Sequence, residues 1–83
     1  MAVSVPTIDI PVTVEGLDAA RRWLRSLAGR ASGTVEIVCD RDRWVVQLRH
    51  ESGHVEMLSQ DEEIRRALAD AIKRLMRRVD TAA

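Results

Sequence analysis

Residues 34–59 read TVEIVC-DRDR-WVVQLR-HESG-HVEMLS, three alternating runs separated by two short polar stretches. Apolar side chains at every second position, bounded by Asp, Arg, Ser and Gly, mark strands with one face in a core and the other in water. The stretch predicts a β-meander. A four-residue loop over 40–43 sets Cys39 opposite Trp44, Val38 opposite Val45 and Ile37 opposite Val46. Directly opposed residues share a face. Val35, Ile37 and Cys39 then join Trp44, Val46 and Leu48 on the core side, so the two alternations agree. For the second hairpin, a loop over 50–53 pairs Leu48 with Val55 and Val46 with Met57. A tighter Ser52-Gly53 turn slides the pairing by two and keeps the same faces. In both registers Val55 and Met57 point inward, while Glu56 and Leu58 point outward.

Upstream, Ile8, Ile10, Val12 and Val14 alternate with Asp9, Pro11 and Thr13, which predicts another strand. Pro11 has no N–H to give a ladder, so this strand belongs on an edge. Residues 17–28 predict a helix: Leu17, Ala20, Trp23, Leu24, Leu27 and Ala28 recur on one side, with Arg21, Arg22 and Arg25 on the other. Gly29 suits the left-handed position after its end. A second helix is predicted from Ser59, where Ser59 and Glu62 have the spacing of a capping box. Its stripe is Ile64, Ala67, Leu68, Ala71, Ile72, Leu75, Met76 and Val79. Acids gather at its start and Lys73, Arg74, Arg77 and Arg78 at its end, as the helix dipole favours.

The predicted fold is α+β, a two-layer sandwich in the order β-α-β-β-β-α. A right-handed crossover places strands one and two parallel. The result is a four-stranded mixed sheet of order 1-2-3-4 with both helices on one face. The 83 residues are read as one domain, with residues 1–5 and 80–83 frayed.

Hydrophobic residues make up 46% and charged residues 31%, a globular balance. Thirteen basic residues offset thirteen acidic ones, so bulk positive charge gives no argument for nucleic acid. One cysteine, Cys39, precludes an intrachain disulfide and points to a reducing, cytoplasmic setting. The first ten residues lack the pattern of a signal peptide, and no apolar run approaches the ~20 residues of a membrane span. Twelve of the thirteen basic residues are Arg, a bias with no sequence-level explanation beyond source composition.

From Val46 to Leu75 the strand VQLR, a turn ending in Gly53, the strand HVEM and the helix EIRRALADAIKRL follow one another. This order and spacing resemble the last two strands and last helix of the ribosome hibernation-promoting factors, whose N-terminal domain is β-α-β-β-β-α. The similar positions are mostly apolar or Gly and speak to fold rather than function. The resemblance implies RNA or ribosome contact through Arg65, Arg66, Lys73, Arg74, Arg77 and Arg78. The zero net charge and the acidic run Asp61-Glu62-Glu63 depart from that family. The double-stranded-RNA-binding domain shares an α-β-β-β-α core, but the basic start of its last helix is absent.

The string His50-Glu51-Ser52-Gly53-His54 matches the zinc-protease pattern H-E-x-x-H. That chemistry needs both imidazoles on one helix face, with the Glu as base. Here the string joins two strands and holds a turn dipeptide, so two turn histidines are the expected reading. Cys39 beside a histidine could form a nucleophilic pair, but its predicted core position makes it a small hydrophobe. The alternating signs of Asp40-Arg41-Asp42-Arg43 fit a solvated loop better than a calcium site. No catalytic, cofactor or metal residue is assigned, and the chain is read as a non-enzyme. What remains is the outer sheet face, where Val38, Val45 and Leu58 are predicted to form an apolar centre with Arg49 and Glu56 at the rim. The expected function is a protein-interaction or assembly module, pairing with itself as a homodimer or with another protein. The His54–Leu58 run is the expected edge for strand addition.

Overall fold

The computed structural model describes residues 10, 11 and 13–81. Among them the order is α1 (Val14–Arg30), β1 (Gly33–Asp40), β2 (Arg43–His50), β3 (Val55–Asp61) and α2 (Ile64–Thr81). The sheet is three-stranded and antiparallel, in the order β1-β2-β3. α1 packs against α2 and β1, and α2 packs against β2 and β3, so both helices share one face of the sheet.

This corrects the four-stranded mixed sheet. Residues 8, 9 and 12 of the expected first strand lie outside the described residues. Ile10 and Pro11 are not in a strand, and Val14 already begins α1. The helix starts early because Thr13 is extended and its Oγ1 accepts the Gly16 N–H at 2.9 Å, an N-cap hydrogen bond. A side chain at Gly16 would meet the Pro11 carbonyl oxygen at 2.4 Å. Glycine there lets the preceding chain fold back, and Ile10 enters the core at 4% exposure. At its other end α1 runs through Gly29, and Ser32 instead takes the left-handed conformation at φ 60°.

The first hairpin keeps the register read from sequence: Cys39 pairs with Trp44, Val38 with Val45 and Ile37 with Val46. The loop is shorter, since Asp40 pairs with Arg43 and only Arg41 and Asp42 turn. Both have positive φ, 48° and 64°, as a type I′ turn requires. Cys39 is exposed rather than in the core, because it lies near the tip of this hairpin.

The second hairpin departs from both expected registers. His50 N donates to the His54 carbonyl at 2.8 Å, and Gly53 N donates to the His50 carbonyl at 2.9 Å. Gly53 has φ 93°. These bonds define a three-residue loop in which Gly takes the left-handed position of a bulge. One residue of offset puts Arg49 opposite Val55, Leu48 opposite Glu56 and Gln47 opposite Met57. With a period of two, that single step turns β3 over. A second irregularity lies beyond it: Gln47 pairs with Met57 but Val46 with Ser59, leaving Leu58 as the extra residue.

That bulge also accounts for the late start of α2. Ser59, Gln60 and Asp61 continue the ladder opposite Val46, Val45 and Trp44. Ser59 is therefore a strand residue, and its hydroxyl donates to the Ala67 carbonyl of α2 at 2.6 Å. At the helix entrance Asp61 Oδ1 accepts the Glu63 N–H at 2.9 Å. The core is the meeting of the two helix stripes with the inner sheet face. Leu24, Val46, Leu48, Leu68, Ile72 and Leu75 are its largest fully buried side chains, and no buried side-chain polar atom among the described residues lacks a partner.

Candidate interaction surface

The sheet face away from the helices carries three cross-strand rows. One runs Val38, Val45, Gln60; the next Glu36, Gln47, Met57; the last Thr34, Arg49, Val55. Val38, Val55 and Met57 are 44%, 39% and 51% exposed, which makes them three of the five large exposed hydrophobics among the described residues. Val45 lies between them, half-buried. The polar side chains of this face bind one another. Glu36 Oε1 accepts from Gln47 Nε2 at 3.1 Å and from Arg49 Nε at 3.2 Å. The Arg49 hydrogen bond, followed by that of Gln47, holds the Glu36 carboxyl below the ordinary carboxylate range. A polar strip held by its own hydrogen bonds thus lies between two apolar pairs.

The inversion of β3 corrects the predicted membership. Leu58 is 3% exposed and belongs to the core. Glu56 faces the helices, where Arg78 donates to both carboxylate oxygens, Nη1 to Oε1 at 2.8 Å and Nη2 to Oε2. His50 Nε2 lies 3.1 Å from the same Oε1. The Arg78 hydrogen bonds, helped by His50, pull the Glu56 carboxyl from 4.5 to about 2. Val38, Val45 and Arg49 lie on the outer face as predicted. Met57 and Val55 take the places given to Leu58 and Glu56. The missed signal was Gly53, whose position as third residue of a three-residue loop shifts the register by one.

β3, the edge expected to take an added strand, is bulged at Leu58. Arg74 Nη1 donates to the carbonyl of the bulged Leu58 at 3.3 Å. A bulge and a covering side chain are the means by which sheets discourage pairing.

Of the six basic residues singled out on α2, at least four contact acidic or backbone groups. Arg65 and Arg66 lie 3.8 Å and 3.3 Å from Glu63 Oε2. Arg74 and Arg78 are turned onto β3. Lys73, Arg74 and Arg77 line a notch of about 340 Å³ with Leu58, but Asp70 shares it. Of the zinc-protease string, residues 50–54 form the loop and its closing pair. The rings of His50 and His54 stack with centroids 5.6 Å apart, and no group of three metal-ligating side chains occurs among the described residues. No described helix is long and apolar enough to cross a membrane.

Comparison with protein-family models, with curated proteins and with solved structures finds no match.

Proposed function

We propose that the chain is a non-catalytic assembly module that works through its uncovered sheet. The observation that carries this reading is the cluster of Val38, Val45, Met57 and Val55 on the side opposite both helices. An antiparallel sheet can be solvated on one face, but such a face is ordinarily polar. Two apolar pairs there, Val38–Val45 and Met57–Val55, flank the strip of Glu36, Gln47 and Arg49, and this mix of apolar and polar groups has the composition of a docking patch. The exposed thiol of Cys39 suits a reducing, cytoplasmic setting.

RNA or ribosome contact, the alternative implied by the resemblance to hibernation-promoting factors, has weaker support. Glu63, Glu56 and Asp70 partner or interrupt its candidate cations. A phosphate-binding surface would show affinity that falls steeply with salt.

The test is sedimentation velocity and affinity capture with Val45→Glu and Met57→Glu. Both should abolish association made through this face while leaving the circular dichroism spectrum unchanged. Association that persists in both variants removes the face from consideration.

A further inference from the structure

The two edges of the sheet differ. β3 is bulged at Leu58 and covered by Arg74. β1 pairs with β2 over all eight residues without a bulge, and it holds no proline or lysine. In a two-residue hairpin the residues flanking the turn form a hydrogen-bonded pair, and the type alternates from there. Asp40, Val38, Glu36 and Thr34 therefore direct their backbone groups to β2. Val35, Ile37 and Cys39 direct theirs away from β2. No hydrogen bond from another described residue reaches them. The side chains of this strand are also incompletely covered: Val35 and Ile37 are half-buried, and Val38 and Cys39 are exposed.

We propose that β1 pairs antiparallel with β1 of a second copy, joining two sheets into one of six strands. This rests on the sheet being the assembly element and adds the partner and the register. Opposed residues must share a face, so the strand can be centred only on a residue, not between two. Centring on Glu36 sets Glu36 against itself, and centring on Val38 sets Glu36 against Asp40. Like charges directly opposed destabilise a pair. Centring on Ile37 avoids both: Ile37 meets Ile37, Val35 meets Cys39, Glu36 meets Val38 and Thr34 meets Asp40. It also uses the strand from 34 to 40 and exchanges the outward backbone groups of residues 35, 37 and 39. Centres further toward either end shorten the pairing. One open edge and one blocked edge close the assembly at two copies. The two-fold axis stands perpendicular to the sheet, so the apolar patches of both copies lie on the same side, with two Glu36–Val38 pairs at the seam between them.

The test uses the full chain in sedimentation equilibrium over a concentration series, with hydrogen exchange at each end of the series. The amides of Val35, Ile37 and Cys39 should become protected as dimer forms. Cys39→Pro removes an outward donor without touching the β2 ladder and should weaken the dimer by about tenfold or more. Val38→Lys places a cation opposite Glu36 of the second copy and should tighten it, whereas Val38→Glu should weaken it. Circular dichroism must show all three variants folded. A dimer weakened equally by Val38→Lys and Val38→Glu overturns the edge pairing while leaving a face contact intact. Amides protected at concentrations where the chain is monomeric overturn it too, since the chain itself would then fill the edge. A chain that stays monomeric to about 1 mM overturns it; the assembly reading then stands or falls on captured partners alone.

Discussion

Replacing Glu56 by Gln removes the charge from the contact that ties β3 to the last turns of α2 while keeping its shape. Arg78 grips both carboxylate oxygens, and His50 approaches one of them. The carboxyl is drawn from 4.5 to about 2, and at ~1.4 kcal/mol per pH unit this sets a ceiling of roughly 3 kcal/mol. The Glu56 and Arg78 side chains remain 24% and 35% exposed, so solvent screening reduces the expected loss to ~1–2 kcal/mol. In a chain of this size that is ~4–16 °C in Tm. The sign follows from a depressed carboxyl. Its contribution is complete above the unfolded value near 4.5 and is lost as pH falls toward about 2. Urea denaturation followed by Trp fluorescence at pH 7, 4 and 2.5 should show a gap between wild type and Glu56→Gln that narrows steadily with acid. A double-mutant cycle with Arg78→Met should return a coupling of about 1 kcal/mol or more at pH 7. A gap that is unchanged at pH 2.5 would mean that packing, not charge, is lost, and would refute the argument.

Other consequences are accessible to the same denaturation assay. Arg41 and Asp42 both hold left-handed backbone without being Gly, so Asp42→Gly should stabilise the domain by ~1 kcal/mol. Ser59→Ala leaves the Ala67 carbonyl without its side-chain donor and should cost ~1 kcal/mol. Val46 is wholly buried, so Val46→Glu should abolish folding by circular dichroism, in contrast to the folded Val45→Glu. Chelator treatment should leave Tm unchanged, because His50 and His54 sit on a hairpin rather than one helix face.

What was legible in the sequence depended on interactions close along the chain or repeated. The α2 stripe recurs over four turns, and Ala67, Leu68, Ala71, Ile72 and Leu75 are all buried. The first hairpin was fixed by two alternations that had to agree. The second failed because alternation in β3 fits two opposite facings, and loop geometry alone decides between them. Val55 and Met57 looked like core by hydropathy, yet Gly53 turns them outward. Leu58 reaches the core only through the bulge that interrupts its strand. The capping-box reading of Ser59 failed for a related reason: strand pairing with Val46 outweighed a local helix signal. At the candidate surface, Val38, Val45 and Arg49 followed from the well-determined hairpin, while Glu56 and Leu58 inherited the error of the other.

The excess of Arg over Lys has a structural account at three positions. Arg78 grips Glu56 with two nitrogens, Arg74 reaches a backbone carbonyl across the sheet edge, and Arg49 approaches Glu36 through both Nε and Nη2. Arg78 and Arg49 use the fixed fork of donors that a lysine ammonium lacks. Two of the three belong to the set that resemblance had assigned to RNA. Their guanidinium groups are turned onto β3, where they hold α2 against the strand and block its edge. Among the described residues β1 is the other edge of the sheet, and neither helix packs on the opposite face. Charge on α2 and apolarity on the sheet are thus parts of one arrangement: the helix engages β3 on one side of the sheet, and on the other Val38, Val55 and Met57 stay exposed.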